Sequence, residues 1–184
     1  MQVAVIGGGA AGFFSALSVK NHHPEAEVVL YEKSDKLLSK VKVSGGGRCN
    51  VTHNCFKVSD LVKFYPRGER PLRKAFGVFS PEDTIAWFAE RGVELKTEAD
   101  GRMFPVTDSS QTIVDCLWSE ARKLGVRIDV KSPIKKLIPQ DSGFLLGFKN
   151  GEQKQVDKVI VATGGSPRRD GFNWLRELGH NIEE

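Results

Sequence analysis

Short apolar runs alternate with amphipathic stretches along the chain, a pattern typical of an α/β protein. The first run covers residues 3–6, a glycine-rich turn follows, and a helical pattern covers residues 10–20. A second apolar run covers residues 28–31. A strand, a helix and a strand within about thirty residues predict a βαβ unit with two parallel strands.

Helical periodicity dominates after the second strand. Residues 33–43 predict a short helix that leads into Ser44-Gly45-Gly46-Gly47, and residues 56–124 predict a mainly helical insert. Ser80 followed by Pro81 marks one helix start inside the insert, and residues 109–124 predict its last helix. Residues 94–97 and 102–104 predict two short extended pieces between them.

Strand patterns return in the last third of the chain. Residues 126–130 predict a third parallel strand, and residues 134–138, 144–148 and 153–156 predict an antiparallel meander with a hairpin turn at Asn150-Gly151. Residues 159–161 predict a last buried strand. The predicted fold is therefore α/β and Rossmann-like, with a parallel sheet, a three-stranded antiparallel meander and a helical insert.

The composition fits a globular protein and excludes several classes. The chain has 184 residues, with 40% hydrophobic and 27% charged residues, values that argue against disorder, collagen and coiled coil. The apolar runs are far shorter than the ~20 residues of a membrane helix, so we expect no membrane partner. The three cysteines are an odd number and are spread out, which favours a reducing, cytoplasmic location.

Basic residues concentrate in one part of the predicted insert. Lys63, Arg67, Arg70, Arg73 and Lys74 are opposed there by Glu69 alone. The simplest interpretation is a solvated helix face, and a surface for an anionic cofactor or substrate is a second one. The segment shows no nucleic-acid-binding module, so we expect no nucleic-acid partner and keep RNA or DNA binding as the alternative.

Glycine is in excess, with 19 residues, and the first cluster has the spacing of a dinucleotide-binding turn. Gly7, Gly9 and Gly12 follow the first strand and open the first helix. Such glycines permit a tight turn, close approach of a pyrophosphate and close helix packing, while the helix N-terminus offers free N–H groups. Glu32 ends the second strand, where a carboxylate accepts hydrogen bonds from ribose hydroxyls. The acid argues against NADP at this position.

The order of the later elements distinguishes FAD from NAD. A long insert, a meander and a strand ending in Ala162-Thr163-Gly164-Gly165 resemble the flavoprotein superfamily that contains glutathione-reductase-like and fumarate-reductase-like enzymes. In that superfamily the Ala-Thr-Gly turn passes near FAD, and the first residue of the meander touches the adenine. The resemblance assigns the adenine contact to Ile134.

A second glycine cluster is more specific. Residues 44–52 read Ser-Gly-Gly-Gly-Arg-Cys-Asn-Val-Thr, a string whose glycines free the backbone to lie against a flat or anionic ligand. With the start at residues 5–12 and Gly-Arg-Met-Phe-Pro at residues 101–105, it resembles the BaiN-like, or aminoacetone-oxidase-like, bacterial NAD(P)/FAD-dependent oxidoreductases. The chain departs from this family at two places. The family commonly has Asn at the position of His53, and it usually has a longer Gly/Ser-rich stretch where this chain has the short basic stretch at residues 166–171.

The resemblance implies bound FAD, with the first glycine turn on the pyrophosphate and the second cluster along the flavin. It covers essentially the whole chain. The residues that we expect to bind the cofactor are Gly7, Gly9, Ala11, Gly12, Glu32, Lys33, Lys40, Ser44, Gly46, Gly47, Arg48, Asn50, Ile134, Thr163, Gly164 and Gly165.

No residue stands out as a catalytic acid or base. Cys49, His53 and Cys55 lack the spacing of a zinc site, and without a Cys-x-x-Cys pair a dithiol reductase is not expected. We expect Met103 and Phe104 to lie in the core, and Arg102 to pair with an acid or face a substrate.

The predicted function is that of a FAD-dependent oxidoreductase with NAD(P)H as candidate electron donor and a small organic substrate, such as an unsaturated ketone. The alternative is a nucleotide-binding module without turnover. The oligomeric state is not predicted. Because the resembling family is about twice as long, we expect residues 1–184 to be its FAD/NAD(P)-binding domain without the inserted substrate domain and C-terminal FAD segment.

Overall fold

In a computed structural model, which describes residues 1–166 and 169–182, the strands and helices follow the α/β order that the sequence predicts. Pro167 and Arg168, in the basic stretch after Gly165, lie outside the described residues. The strands are β1 (Gln2–Ile6), β2 (Glu27–Tyr31), β3 (Thr52–His53), β4 (Leu95–Thr97), β5 (Arg102–Pro105), β6 (Arg127–Asp129), β7 (Ile134–Pro139), β8 (Phe144–Phe148), β9 (Gln153–Val156) and β10 (Lys158–Val161). The helices are α1 (Ala10–His22), α2 (Ser39–Gly47), α3 (Val58–Leu61), α4 (Glu69–Phe76), α5 (Pro81–Ala89), α6 (Ser110–Lys123) and α7 (Asn173–Arg176), with 3₁₀ turns at Val62–Phe64 and Arg169–Phe172.

The chain forms two compact units. The first, here the sheet unit, comprises Met1–Ser39 and Leu117–Glu184, and the second, here the insert unit, comprises Lys40–Cys116. The boundary at residue 116 falls within α6. The insert unit therefore corresponds to the segment that the sequence predicts as an insertion between the second and third parallel strands.

A parallel sheet with the strand order β10-β1-β2-β6 forms the centre of the sheet unit. Val5 is paired with Ile160 on one side and with Leu30 on the other, and Leu30 is paired with Ile128. The predicted βαβ unit and third strand are confirmed. The last strand also forms as predicted, but it is not buried: Val159 and Ile160 are half-buried and Val161 is exposed, because β10 is an edge strand of this sheet. The helix between β1 and β2 gives these parallel strands the crossover connection that they require.

The central strands are buried on both faces, which explains their unbroken apolar runs. On one face the antiparallel meander β7-β8-β9 packs against Ala4, Val29 and Tyr31, and the Tyr31 and Phe148 rings meet edge to face at 5.2 Å. Helix α1 contributes Phe13, Ala16 and Leu17, all buried, as other members of the core of this unit. The predicted meander is therefore confirmed and forms one wall of the core.

The insert unit contains helices and a small antiparallel sheet with the order β3-β5-β4. Helix α5 begins as predicted at Ser80, whose hydroxyl accepts a hydrogen bond from the Asp83 N–H while the Asp83 carboxylate accepts one from the Ser80 N–H. The sheet differs from the expected, mainly helical insert because β3 is too short to show any strand periodicity. Among the described residues, no helix has the length and apolar character needed to cross a bilayer.

The segment that follows β2 departs from its predicted helix. Residues 33–38 are irregular, and α2 begins only at Ser39. One tertiary and one local hydrogen bond explain the difference: the Leu38 N–H donates to the Gly8 carbonyl oxygen at 2.8 Å, and the Ser34 N–H donates to the nearby Glu32 carboxylate at 2.9 Å. Leu38 also has a positive φ of 53°, which a helix does not allow.

Candidate functional site

The first glycine turn lies between β1 and α1, against the turn that follows β10. Gly7 has a φ of +118°, and a Cβ atom built on it would lie 2.4 Å from the Ala162 carbonyl oxygen. A side chain at position 7 would therefore be strained by both its conformation and this contact. The structure thus places Gly7 beside Ala162, next to the predicted site residue Thr163.

Gly12 and Gly9 meet different surroundings within the same turn. A Cβ on Gly12 would lie 1.8 Å from the Gly7 carbonyl oxygen, so the helix could not approach the turn so closely with any other residue. A Cβ on Gly9 would have no atom within 4 Å. Gly9 is the N-cap of α1, which has no side-chain cap. The first turn of α1, with Ala11, therefore retains backbone N–H groups suited to an anion.

The Glu32 carboxylate is fixed beside this turn. One oxygen accepts a hydrogen bond from the Gly8 N–H at 2.9 Å, and the other accepts two from the N–H and hydroxyl of Ser34, each at 2.9 Å. Partial burial raises the pKa of Glu32, but these hydrogen bonds and the charge of Lys33 outweigh it, so the pKa lies below its ordinary value. Glu32 is thus an ionised acceptor at neutral pH, as ribose binding requires.

The remaining predicted residues of the sheet unit fall into two groups. Thr163, Gly164 and Gly165 are exposed after β10, and Gly164 has a φ of +70°. Ile134 begins β7 and is half-buried against the meander side of the core. The loop before it returns to the Glu32 region, because the Ser132 N–H donates to the Glu32 carbonyl oxygen at 2.9 Å.

The second glycine cluster breaks α2 in the insert unit. Gly45, Gly46 and Gly47 all have positive φ angles, of 56°, 70° and 88°. A Cβ on Gly45 would lie 2.6 Å from the Phe104 ring, whereas one on Gly46 would meet no atom within 4 Å. Gly45 is therefore required for packing, and Gly46 leaves an open backbone that a ligand can approach.

Arg48 connects this loop to the Gly-Arg-Met-Phe-Pro segment at residues 101–105. Its guanidinium carbon lies 4.0 Å from the centre of the Phe104 ring, and the group pairs with Glu98 and lies 3.6 Å from the Asp108 carboxylate. The hydrogen bond that Arg48 donates to Glu98 and the charges of both acids raise the pKa of Arg48. Phe104 is fully buried, as predicted, and Arg102 pairs with Asp100. The two sequence motifs are thus one packed cluster.

The other notable residues of the insert unit have separate surroundings. Lys40 and Asn50 are exposed, and Ser44 donates its hydroxyl to the Val41 carbonyl oxygen at 3.0 Å. Burial raises the pKa of the Cys49 thiol more than its hydrogen bond with Ser44 lowers it, so it lacks the thiolate of a redox cysteine. No group of three or more His, Cys, Asp or Glu residues in the described ranges is arranged to hold a metal ion.

The structure therefore brings the predicted residues together in two sets, one in each unit. It adds Gly8, Ser34 and Leu38, which position Glu32 and the glycine turn through hydrogen bonds. Sequence reasoning missed them because their role depends on pairings across the turn. The available signal was Ser34, two residues after Glu32, because a serine hydroxyl commonly forms hydrogen bonds with groups two residues away in the chain.

A parallel sheet, a glycine turn at the start of α1 and an acid at the end of β2 are the features of a Rossmann-like fold of the kind that binds dinucleotides. The whole chain, residues 1–184, matches the family described as the HI0933-like protein Rossmann domain. The chain belongs to this family, which confirms the resemblance noted in the sequence.

Three known proteins illustrate the relationship. The chain is 27% identical over 187 residues to a 3-dehydro-bile acid delta(4,6)-reductase of Clostridium scindens, covering 98% of this chain and 44% of the relative. It is 32% identical over 162 residues to the ribosomal RNA dihydrouridine synthase of Escherichia coli K12, covering 88% and 38%. A flavocytochrome c3 fumarate reductase in its open conformation superposes with a TM-score of 0.64 at 25% identity, covering 89% and 33%. The chain thus spans less than half the length of these relatives.

Proposed function

We propose that this chain binds FAD and belongs to an oxidoreductase that reduces a carbon–carbon double bond conjugated to a carbonyl group. The observation that carries the proposal is the Glu32 carboxylate, held ionised beside the glycine turn by hydrogen bonds from Gly8 and Ser34. This pairing of an open α1 N-terminus with a fixed acid suits a nucleotide that has both a pyrophosphate and a ribose.

The residues of the sheet unit fit the adenosine and pyrophosphate parts of FAD. Gly9 leaves space where a side chain would block a phosphate, and the α1 dipole favours the negative charge there. Glu32 would accept hydrogen bonds from ribose hydroxyls and would repel a 2′-phosphate. Bound FAD would supply hydride-transfer chemistry, while the protein supplies binding and orientation. The assignment of Lys40, Ser44, Gly46, Gly47, Arg48 and Asn50 to the flavin part remains a prediction.

The class of reaction is supported by the names of two relatives that act on different molecules. A 3-dehydro-bile acid delta(4,6)-reductase acts on ring double bonds of a ketone, and dihydrouridine is uridine with one ring double bond reduced. In both cases the double bond is conjugated to a carbonyl group. Reduction adds a hydride and a proton, and NAD(P)H is the proposed hydride source.

A visible absorption spectrum of the purified protein, before and after incubation with FAD, tests the proposal. We expect flavin absorbance that remains with the protein through gel filtration. Anaerobic titration with NADH and with NADPH, followed by 2-cyclohexenone, then tests the donor and the reaction. Absence of flavin from the protein at saturating FAD would contradict the proposal. Flavin binding without reduction by either donor would instead favour the nucleotide-binding module.

A matched pair of variants connects the result to Glu32. Glu32→Ala should weaken FAD binding at least about 10-fold, because the ribose loses a charge-assisted hydrogen bond. Glu27→Ala removes an exposed glutamate from the same strand, β2, and should leave FAD affinity unchanged. Equal FAD affinity of the two variants would show that Glu32 does not contact the ribose.

A further inference from the structure

The net charge of the chain is concentrated in one surface of the insert unit. Residues 57–76 hold six Lys or Arg and two Asp or Glu, a net charge of +4, which equals the formal net charge of the whole chain. The other residues hold 21 basic and 21 acidic side chains. We name α3, the following 3₁₀ turn and α4 the basic surface, residues 57–76.

Ion pairs within the basic surface neutralise some of its cations and leave others free. Asp60 pairs with Lys63 at 2.8 Å, and Glu69 pairs with Arg73 at 3.0 Å. In the part of the chain that the structure describes, Arg67, Arg70 and Lys74 form no ion pair, and all three are exposed. Arg70 and Lys74 are four residues apart on α4 and so lie on the same side of the helix. Both acids are thus already paired, and the free charge is positive.

Aromatic rings lie beside these cations. Phe64 is 71% exposed and Tyr65 is 40% exposed, although aromatic side chains of this size are normally covered. The Tyr65 ring lies 5.7 Å from the Phe76 ring, so Tyr65 packs against α4, the helix that carries Arg70 and Lys74. No residue of α4 is buried. The surface therefore combines free positive charge with exposed flat apolar rings.

We infer that the basic surface binds single-stranded RNA. Free cations attract phosphates, and exposed aromatic rings stack on unpaired bases, the combination by which proteins recognise single-stranded nucleic acid. A relative whose name states that it acts on ribosomal RNA is consistent with this partner. The inference rests on the proposed function in one respect: the RNA would carry the conjugated double bond of a uracil ring. It reverses the sequence expectation of no nucleic-acid partner, which took the same cations for a solvated helix face.

Fluorescence anisotropy with a labelled oligouridylate of about 16 nucleotides tests the inference on the 184-residue protein. The variant R67Q/R70Q/K74Q should bind at least about 10-fold more weakly at ~0.1 M salt, and the slope of log K against log salt should fall by about 2. The control R122Q/K123Q/K158Q removes the same number of exposed charges from the sheet unit. It should retain wild-type affinity.

A second variant separates base stacking from charge. Phe64→Ala should weaken binding roughly 5-fold or more while Phe64→Trp retains it, because tryptophan preserves a stacking surface. Equal affinity of the wild type, the charge variant and its control would overturn the inference. So would loss of RNA binding in Phe64→Trp as large as in Phe64→Ala, or tighter binding to vesicles of phosphatidylglycerol and phosphatidylcholine than to RNA.

The binding assay contains no flavin readout, so its outcome and that of the proposed function are distinguishable. RNA binding that the charge variant loses, in protein that takes up no FAD, would support the basic surface and contradict the proposed function. FAD uptake and enone reduction without RNA binding would contradict the basic surface alone.

Discussion

Gly12 and Gly9 show how residues of one motif can serve packing and binding separately. Gly12 is the point where α1 touches the Gly7 carbonyl oxygen, and Gly9 faces open space. The motif alone assigns roles to both by analogy, whereas the surroundings of each Cβ position give a physical reason. This difference yields a pair of substitutions with opposite expected effects on folding.

We expect Gly12→Ala to destabilise the protein by about 1–3 kcal/mol, because its Cβ would displace the Gly7 backbone. Gly9→Ala should leave the melting temperature near that of the wild type, since its φ of −90° suits alanine and its Cβ has room. Thermal unfolding followed by circular dichroism measures both. FAD affinity of the folded Gly9→Ala variant should nevertheless fall, and unchanged affinity would place the pyrophosphate elsewhere.

Glu32 gives the protein a dependence on acid pH whose sign follows from its hydrogen bonds. Its pKa in the folded protein is lower than in the unfolded chain, so its stabilisation is complete above the ordinary glutamate pKa of about 4.3 and is lost as the pH falls through the folded value. We expect the melting temperature to fall less steeply below about pH 4.3 in Glu32→Gln than in the wild type. Glu27→Gln controls for the loss of one carboxylate, and identical profiles of wild type and Glu32→Gln would contradict the prediction.

The placement of residues could be predicted where it depends on neighbours in sequence. Gly7, Gly12 and Glu32 were identified from spacing because the turn and the two strands that hold them are local. The Arg48 contacts could not be predicted, because Glu98 is fifty positions away and follows β4. The charge of Arg48 suggests a ligand, and the structure shows a guanidinium group already paired with an acid.

At the scale of elements, Phe104 of β5 joins the glycine-rich loop to the small sheet. Its ring contacts the Arg48 guanidinium group and limits position 45 to glycine. Cys49 within the same loop has a positive φ of 65°, a conformation that costs energy outside glycine and requires support from its surroundings. The loop conformation is therefore expected to depend on β5.

Phe104→Ala should lower the free energy of unfolding by about 3–5 kcal/mol, because it empties a fully buried ring site. Phe64→Ala makes the same substitution at an exposed position of the same unit and should change it by less than about 0.5 kcal/mol. Urea denaturation followed by fluorescence compares the two. Similar losses in both variants would show that the Phe104 ring is not a support of this unit.

Elements with strong local signals were predicted well, and those fixed by tertiary contacts were not. The capping box at Ser80 and the turn at Asn150-Gly151 are read from a few adjacent residues, and both helix α5 and the meander are confirmed. Residues 33–38 have a helical composition but are held by hydrogen bonds to Gly8 and Glu32. Strand β3 exists only because β5 pairs with it.

At the scale of the whole molecule, FAD binding should raise the melting temperature of the protein. If FAD binds the folded and not the unfolded chain, a concentration of about 100 times its Kd adds roughly 2.7 kcal/mol to the free energy of unfolding. For a chain of this size this corresponds to a rise of about 5–10 °C in melting temperature. We expect ADP to give a smaller shift through the adenosine and pyrophosphate contacts and riboflavin to give none. A riboflavin shift equal to that of FAD would contradict the assigned role of the α1 turn.

The pairing of β1 with β10 has a consequence for synthesis of the protein. The Gln2 N–H donates a hydrogen bond to the carboxylate of Asp157, which is 155 residues away, and this bond connects the start of β1 to the start of β10. At roughly 5–20 residues per second, a ribosome needs about 8–30 s after making β1 to deliver this partner. During that interval β1 can pair with β2 but keeps one edge open. The nascent chain therefore has its glycine turn early and can complete its central sheet only after the ribosome has made β10 (Lys158–Val161).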